Sequence, residues 1–102
     1  MNTAAQTLVD VLNQRLQVVQ EIASVQSRNL LHRQRRGGIE VEIQRIEKEI
    51  GTAGISDTLA GSLADARDRL QRESTEMAAG DAHCAELERR LEELDRQIAA
   101  AR

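Results

Sequence analysis

Two threads of apolar positions run through the chain in step with one another. The first is Leu8, Val11, Arg15, Val18, Ile22, Val25, Asn29, His32, Arg36, Ile39, Ile43, Ile46 and Ile50. The second is Leu59, Leu63, Ala66, Leu70, Glu73, Met77, Gly80, Cys84, Leu87, Leu91, Leu94, Ile98 and Ala101. In both, the spacing alternates between three and four, the heptad rule that keeps one stripe of an α-helix turned toward a partner. Folding one thread against the other about residues 51–56 sets position n opposite 109 − n throughout. Ile50 then meets Leu59, Ile39 meets Leu70, Ile22 meets Leu87 and Leu8 meets Ala101. The layer least like a core is also complementary, with Arg36 opposite Glu73. The expected fold class is all-α: one domain forming a long antiparallel coiled-coil helical hairpin, with an arm 3–50, a tip 51–56 and a return arm 57–102.

Local signals set the boundaries. Thr3 with Gln6 three residues on forms a capping box that starts the first helix. Gly37 and Gly38 together cost roughly 2 kcal/mol relative to two alanines in a helix, which locally favours a break. The stripe nevertheless crosses them in phase, from His32 and Arg36 to Ile39 and Ile43, so a continuous or kinked helix is expected. The competing arrangement has three helices (3–36, 39–50 and 57–102) hinged at Gly37-Gly38. Gly51 stands where a left-handed C-terminal cap is wanted. Ser56 suits the N-cap of the return helix, and Asp57 suits its dipole. Gly80 keeps the phase of its stripe and is expected to be helical.

The first arm carries a second stripe: Ala5, Val9, Leu12, Leu16, Val19, Ala23, Gln26 and Leu30. It lies one residue away from the first, giving that arm more apolar surface than a single partner helix covers. Val9, Leu12, Leu16, Val19, Ala23 and Leu30 are therefore the expected dimer interface. A two-fold homodimer over residues 5–30 and 80–101 would form a four-helix bundle.

Composition narrows the picture. Phe, Tyr, Trp and Pro are all absent. A core without rings fills a thin aliphatic seam better than a wide centre, and the lack of Pro permits long helices. Net charge is −3, too mild to name a partner, but its distribution is uneven. Residues 1–36 are net basic and residues 57–102 net acidic, which favours antiparallel apposition. No apolar run approaches the roughly 18 residues that a membrane span needs, and the N-terminal stretch has no signal-peptide pattern. A cytoplasmic location is the expectation, with signal-independent export left open.

Candidate chemistry is sparse. Asn29, His32, Arg36 and Glu73 make a polar waist in the seam, expected to fix register. The basic stretch holding Arg28, Arg33, Arg35 and Arg36 spreads around its helix and has no aromatic residue for base stacking, so nucleic acid is not the expected partner. His83 and Cys84 are adjacent in sequence and, with His32, make no metal-ligand spacing. Cys84, the only cysteine, suits a buried seam position opposite Val25. There is no Gly-rich phosphate loop, and no catalytic, cofactor or metal residues are assigned.

Two resemblances bear on activity. The segment from Leu8 to Ala23 resembles the long first helix of the all-helical chorismate mutases, which are intertwined dimers. Arg15 and Leu16 match that family's Arg-Leu pair. Its catalytic Lys position is Gln26 here, and its later Arg and Glu have no counterparts. The resemblance implies an enzyme site formed only in the dimer, lined by groups such as Arg15, Glu21 and Arg28. In length and topology the chain also resembles the small helical hairpins exported by type VII secretion, although its tip, Gly51 to Gly54, holds no Trp. The function expected from the residues themselves is a non-catalytic interaction module. It would act as a scaffold, adaptor or inhibitor-like binder, pairing with itself and with a protein partner through the tip or the basic waist.

Overall fold

The computed structural model describes residues 3–101, the side chains of residues 3 and 4 excepted. It holds two helices, α1 (Thr3–Ala53) and α2 (Asp57–Ala100), joined by a three-residue turn. The described residues include no strand. The Thr3 capping box expected from the sequence lies outside the described side chains. No helix of the described residues is long and apolar enough to cross a membrane.

The helix does not break at Gly37-Gly38; both residues lie within α1. The three-helix alternative is therefore not the structure of this chain. Neither glycine has a positive φ, and a Cβ added at either would meet nothing within 4 Å. No close approach requires them, and the in-phase stripe on both sides carries the helix through. Gly80 is likewise helical.

The left-handed cap falls at Gly54, one turn later than the expected Gly51. Gly54 has φ 80° and donates its N–H to the Ile50 carbonyl at 2.9 Å, the single-bond αL closure of a helix C-terminus. The extra turn forms because Gly51 accepts right-handed geometry as readily as left-handed, and Ala53 is the best of helix formers. The Thr52 hydroxyl also donates back to the Lys48 and Glu49 carbonyls, at 3.3 and 3.2 Å. Ser56 caps α2 as expected: its Oγ accepts the Leu59 N–H at 3.2 Å, and its carbonyl accepts from Ala60 at 2.9 Å. The expected tip of 51–56 thus shrinks to 54–56.

Packing falls into two compact units, one of α1 up to Arg28 with α2 from Gly80, the other of residues Asn29–Ala79. In the first unit Val11, Leu94 and Ile98 form the buried core, with Leu8 and Val18 against it. Leu94 is fully buried and Val25 nearly so, at 2% exposed. Cross-helix pairs flank this core: Arg15 with Asp95 at 2.7 Å, Arg90 with Gln14 at 2.9 Å, and His83 with Glu21 at 3.3 Å. From Arg15–Asp95 to Glu21–His83 the numbers rise on α1 and fall on α2, so the segments run antiparallel.

In the second unit Ile39, Ile46 and Ala66 are buried, and Ile43, Ile50, Leu59, Leu63 and Leu70 pack on them. Ala66 has no exposed surface, and its small side chain leaves room for the facing isoleucines. Arg69 holds both oxygens of Glu42, at 2.9 and 3.0 Å, and Asp65 at 3.1 Å. Hydrogen bonds to these carboxylates, Glu42 first, raise the guanidinium pKa above its ordinary value. Of all the positions in the two predicted threads, only Arg36 and Ala101 are exposed.

Gly37→Ala and Gly38→Ala should each stabilise the chain by about 0.5–1 kcal/mol, since each adds a helix-favouring methyl in open space. Gly54→Ala should destabilise by about 1–2 kcal/mol, because a Cβ strains the left-handed conformation. Thermal unfolding followed by circular dichroism at one fixed chain concentration distinguishes the two directions.

Candidate functional site

Two features of this otherwise regular packing are candidates for function: a polar cluster in the second unit and an apolar face in the first. The polar cluster follows from the interruption of the seam at Asn29, His32 and Glu73. Asn29 is buried, and its Nδ2 donates to the Met77 carbonyl at 3.3 Å. His32 Nδ1 pairs with Glu73 Oε2, both side chains being about one-fifth exposed.

The expected Arg36–Glu73 pair is not formed. Arg36 is exposed, and its Nε donates to Glu40, one turn along the same helix, at 3.1 Å. A seam side chain sits as a knob between two positions of the facing stripe, so His32 fits between Met77 and Glu73 and takes the carboxylate. The longer Arg36 keeps its guanidinium in water, avoiding the several kcal/mol that desolvating such a charge costs. Both residues lie on the facing stripes, but Glu73 takes its basic partner from the neighbouring layer. The rest of the basic stretch is solvated: Arg28, Arg33 and Arg35 are all exposed.

No group of three or more His, Cys, Asp or Glu side chains among the described residues is arranged to hold a metal ion. His83 pairs with Glu21, and Cys84 is a half-buried free thiol. The mutase resemblance points to Arg15, Glu21 and Arg28. Arg15 is engaged by Asp95, Glu21 by His83, and Arg28 is exposed.

The apolar face lies on α1 of the first unit. Every position of the second stripe, from Ala5 to Leu30, is exposed. Exposure runs from 39% at Val19 to 56% at Leu16, with Val9 and Leu12 between. Helical periodicity sets this stripe about 100° around α1 from the seam that faces α2, so one partner helix leaves it uncovered. Leu30 of this stripe belongs to the second unit, where it is exposed together with Leu31 and Val41. Sequence reasoning passed over Leu31, Val41 and Ile55, the last 72% exposed in the turn. They fall on neither stripe, and isolated exposed apolar residues give no periodic signal. It also passed over the Arg69 grip on Glu42, whose only cue is the Asp65–Arg69 spacing of four.

Comparison with protein-family models, with curated proteins and with solved structures finds no match to this chain.

Glu73→Ala should cost about 1 kcal/mol, since it leaves the half-buried His32 imidazole without its carboxylate. Arg36→Ala should cost less than about 0.5 kcal/mol, the range of an exposed pair one helical turn apart. Chemical denaturation of the two variants at one pH makes the comparison; a larger loss at Arg36 would restore the pairing across that layer.

Proposed function

We propose that this chain is a non-catalytic α-helical interaction module whose docking face is the second stripe of α1 in the first unit. The observation that carries the reading is the exposure of Val9, Leu12, Leu16 and Val19 together on one helix face. Soluble chains rarely leave such a run uncovered unless it meets a partner. The surrounding surface supports the same reading. Between Ala5 and Ser27 the only charged residues are Asp10, Arg15 and Glu21. Arg15 and Glu21 are engaged with Asp95 and His83 of α2, and Asp10 lies well round the helix from the stripe. The far rim of the stripe is Gln6, Asn13, Gln20 and Ser27, polar but uncharged. Depletion of charge around an apolar strip is the composition of an interface core. The α1 surface of the second unit is different, with Arg33, Arg35, Glu40, Arg45, Glu47, Lys48 and Glu49 all exposed.

Magnitudes bear on the kind of partner. Completing the burial of a half-exposed Val or Leu contributes about 1 kcal/mol, roughly half of its full transfer value. Four such side chains on one surface therefore supply about 4 kcal/mol, the low end of the ~4–15 kcal/mol that association costs. The partner must bring an apolar helix face of its own, and another copy of this chain does so. The module then works as a scaffold or adaptor by holding helices together, with no bond made or broken.

The test is the association state of the full chain by sedimentation. The wild type should associate reversibly as its concentration rises to the order of 100 μM. Leu12→Glu with Leu16→Glu should keep helical circular dichroism and sediment as a monomer throughout. A wild-type chain that stays monomeric over that range contradicts the reading.

A further inference from the structure

Read along α1, the exposed stripe is a palindrome: Ala5, Val9, Leu12, Leu16, Val19, Ala23. Its size order is small, medium, large, large, medium, small, and its centre lies at the level of Gln14. All six side chains are exposed and all belong to the first unit. We infer that this face closes on a second copy of the same chain, α1 antiparallel to α1, about a two-fold axis at the level of Gln14. The inference rests on the reading of that face as the docking surface and adds its occupant, direction and register.

A two-fold interface places one patch against itself, so residue i meets j and j meets i. An antiparallel pairing centred at Gln14 matches Leu12 with Leu16, Val9 with Val19 and Ala5 with Ala23, each pair occurring twice. Every layer then joins side chains of equal or nearly equal size. Pairing the same stripes in parallel sets every stripe residue beside its own copy whatever the sequence, so the palindrome has a role only in the antiparallel pair.

The rim is compatible with the antiparallel pairing. About the same axis Gln6 comes opposite Gln20, and Asn13 lies beside its own copy. Amides both donate and accept, so two identical ones complement each other where identical charges would repel. Arg15, on the other flank, also approaches its copy near the axis. Its charge is already balanced within the chain by Asp95 at 2.7 Å. The two α2 segments lie side by side on the Arg15 flank of the joined α1 helices, completing four helices.

Single-cysteine variants of the full chain, made on a Cys84→Ser background, test direction and register with a short bismaleimide. At 1.5 Å per residue, Asn13 and its copy lie about 3 Å apart along the axis in this arrangement, whereas Gln20 and its copy lie about 18 Å apart. Asn13→Cys should crosslink efficiently into dimers, and Gln20→Cys should remain at background. A mixture of Gln6→Cys chains with Gln20→Cys chains should crosslink between the two kinds. Efficient self-crosslinking of Val19→Cys, whose copies lie about 15 Å apart along the axis here but side by side in a parallel pair, would overturn the inference. Absence of the Asn13→Cys crosslink in a chain that sedimentation shows to be dimeric would overturn it too, with the docking face left standing. A chain monomeric at every concentration removes the docking face itself, and the inference with it.

Discussion

Aliphatic side chains from two helices, interlocked along a seam one residue deep, are what everything else here depends on. With no Phe, Tyr or Trp in the chain, no residue can span a wide core, and burial comes only from stripe against stripe. Ile39, Ile46 and Ala66 show how little volume is enclosed: an alanine with no exposed surface supplies the facing side of a layer of isoleucines. Such a seam protects only one strip of each helix. Charged side chains complete the remainder of the second unit, where Arg69 bridges Glu42 and Asp65. The first unit lacks that completion on α1, and its second apolar strip is the consequence.

Polar groups inside the seam act on specificity more than on strength. A long, regular heptad pattern has neighbouring registers one or two layers away that bury nearly as much. Asn29, bonded to the Met77 carbonyl, and His32, bonded to Glu73, are satisfied only where these helices now lie. Sliding α2 by a turn strands a buried amide and a half-buried carboxylate, a cost of about 1–3 kcal/mol for each unsatisfied group. The glycine pair at 37–38 has no comparable geometric reason, since both positions are open and ordinary in φ.

Much of this architecture is legible in the sequence because it is periodic. The phase of the stripe identified the helices, carried α1 across Gly37-Gly38 and set the antiparallel pairing; Ser56 announced the start of α2. The misjudged features are those that periodicity does not govern. Gly51 and Gly54 carry the same local signal, and only the backbone shows which one turns left-handed. Glu73 had two basic candidates one turn apart, and side-chain length with the cost of desolvation decided for His32 over Arg36. The exposed stripe was also legible, as apolar positions in excess of what one helix covers. Its palindromic order is equally plain in the sequence, yet it acquires meaning only once those side chains are found exposed on one face.

The most direct measurement of the central claim is an isotope-filtered methyl NOE experiment on a mixture of labelled and unlabelled chains. Within one chain, Val11 methyls should contact Leu94 and Ile98, reporting the antiparallel seam. Between chains, Leu12 methyls should contact Leu16, reporting the second stripe closed upon its copy. Interchain contacts from Val11 to Leu94, or a Leu12 that meets no other chain when dimers are abundant, would contradict the account.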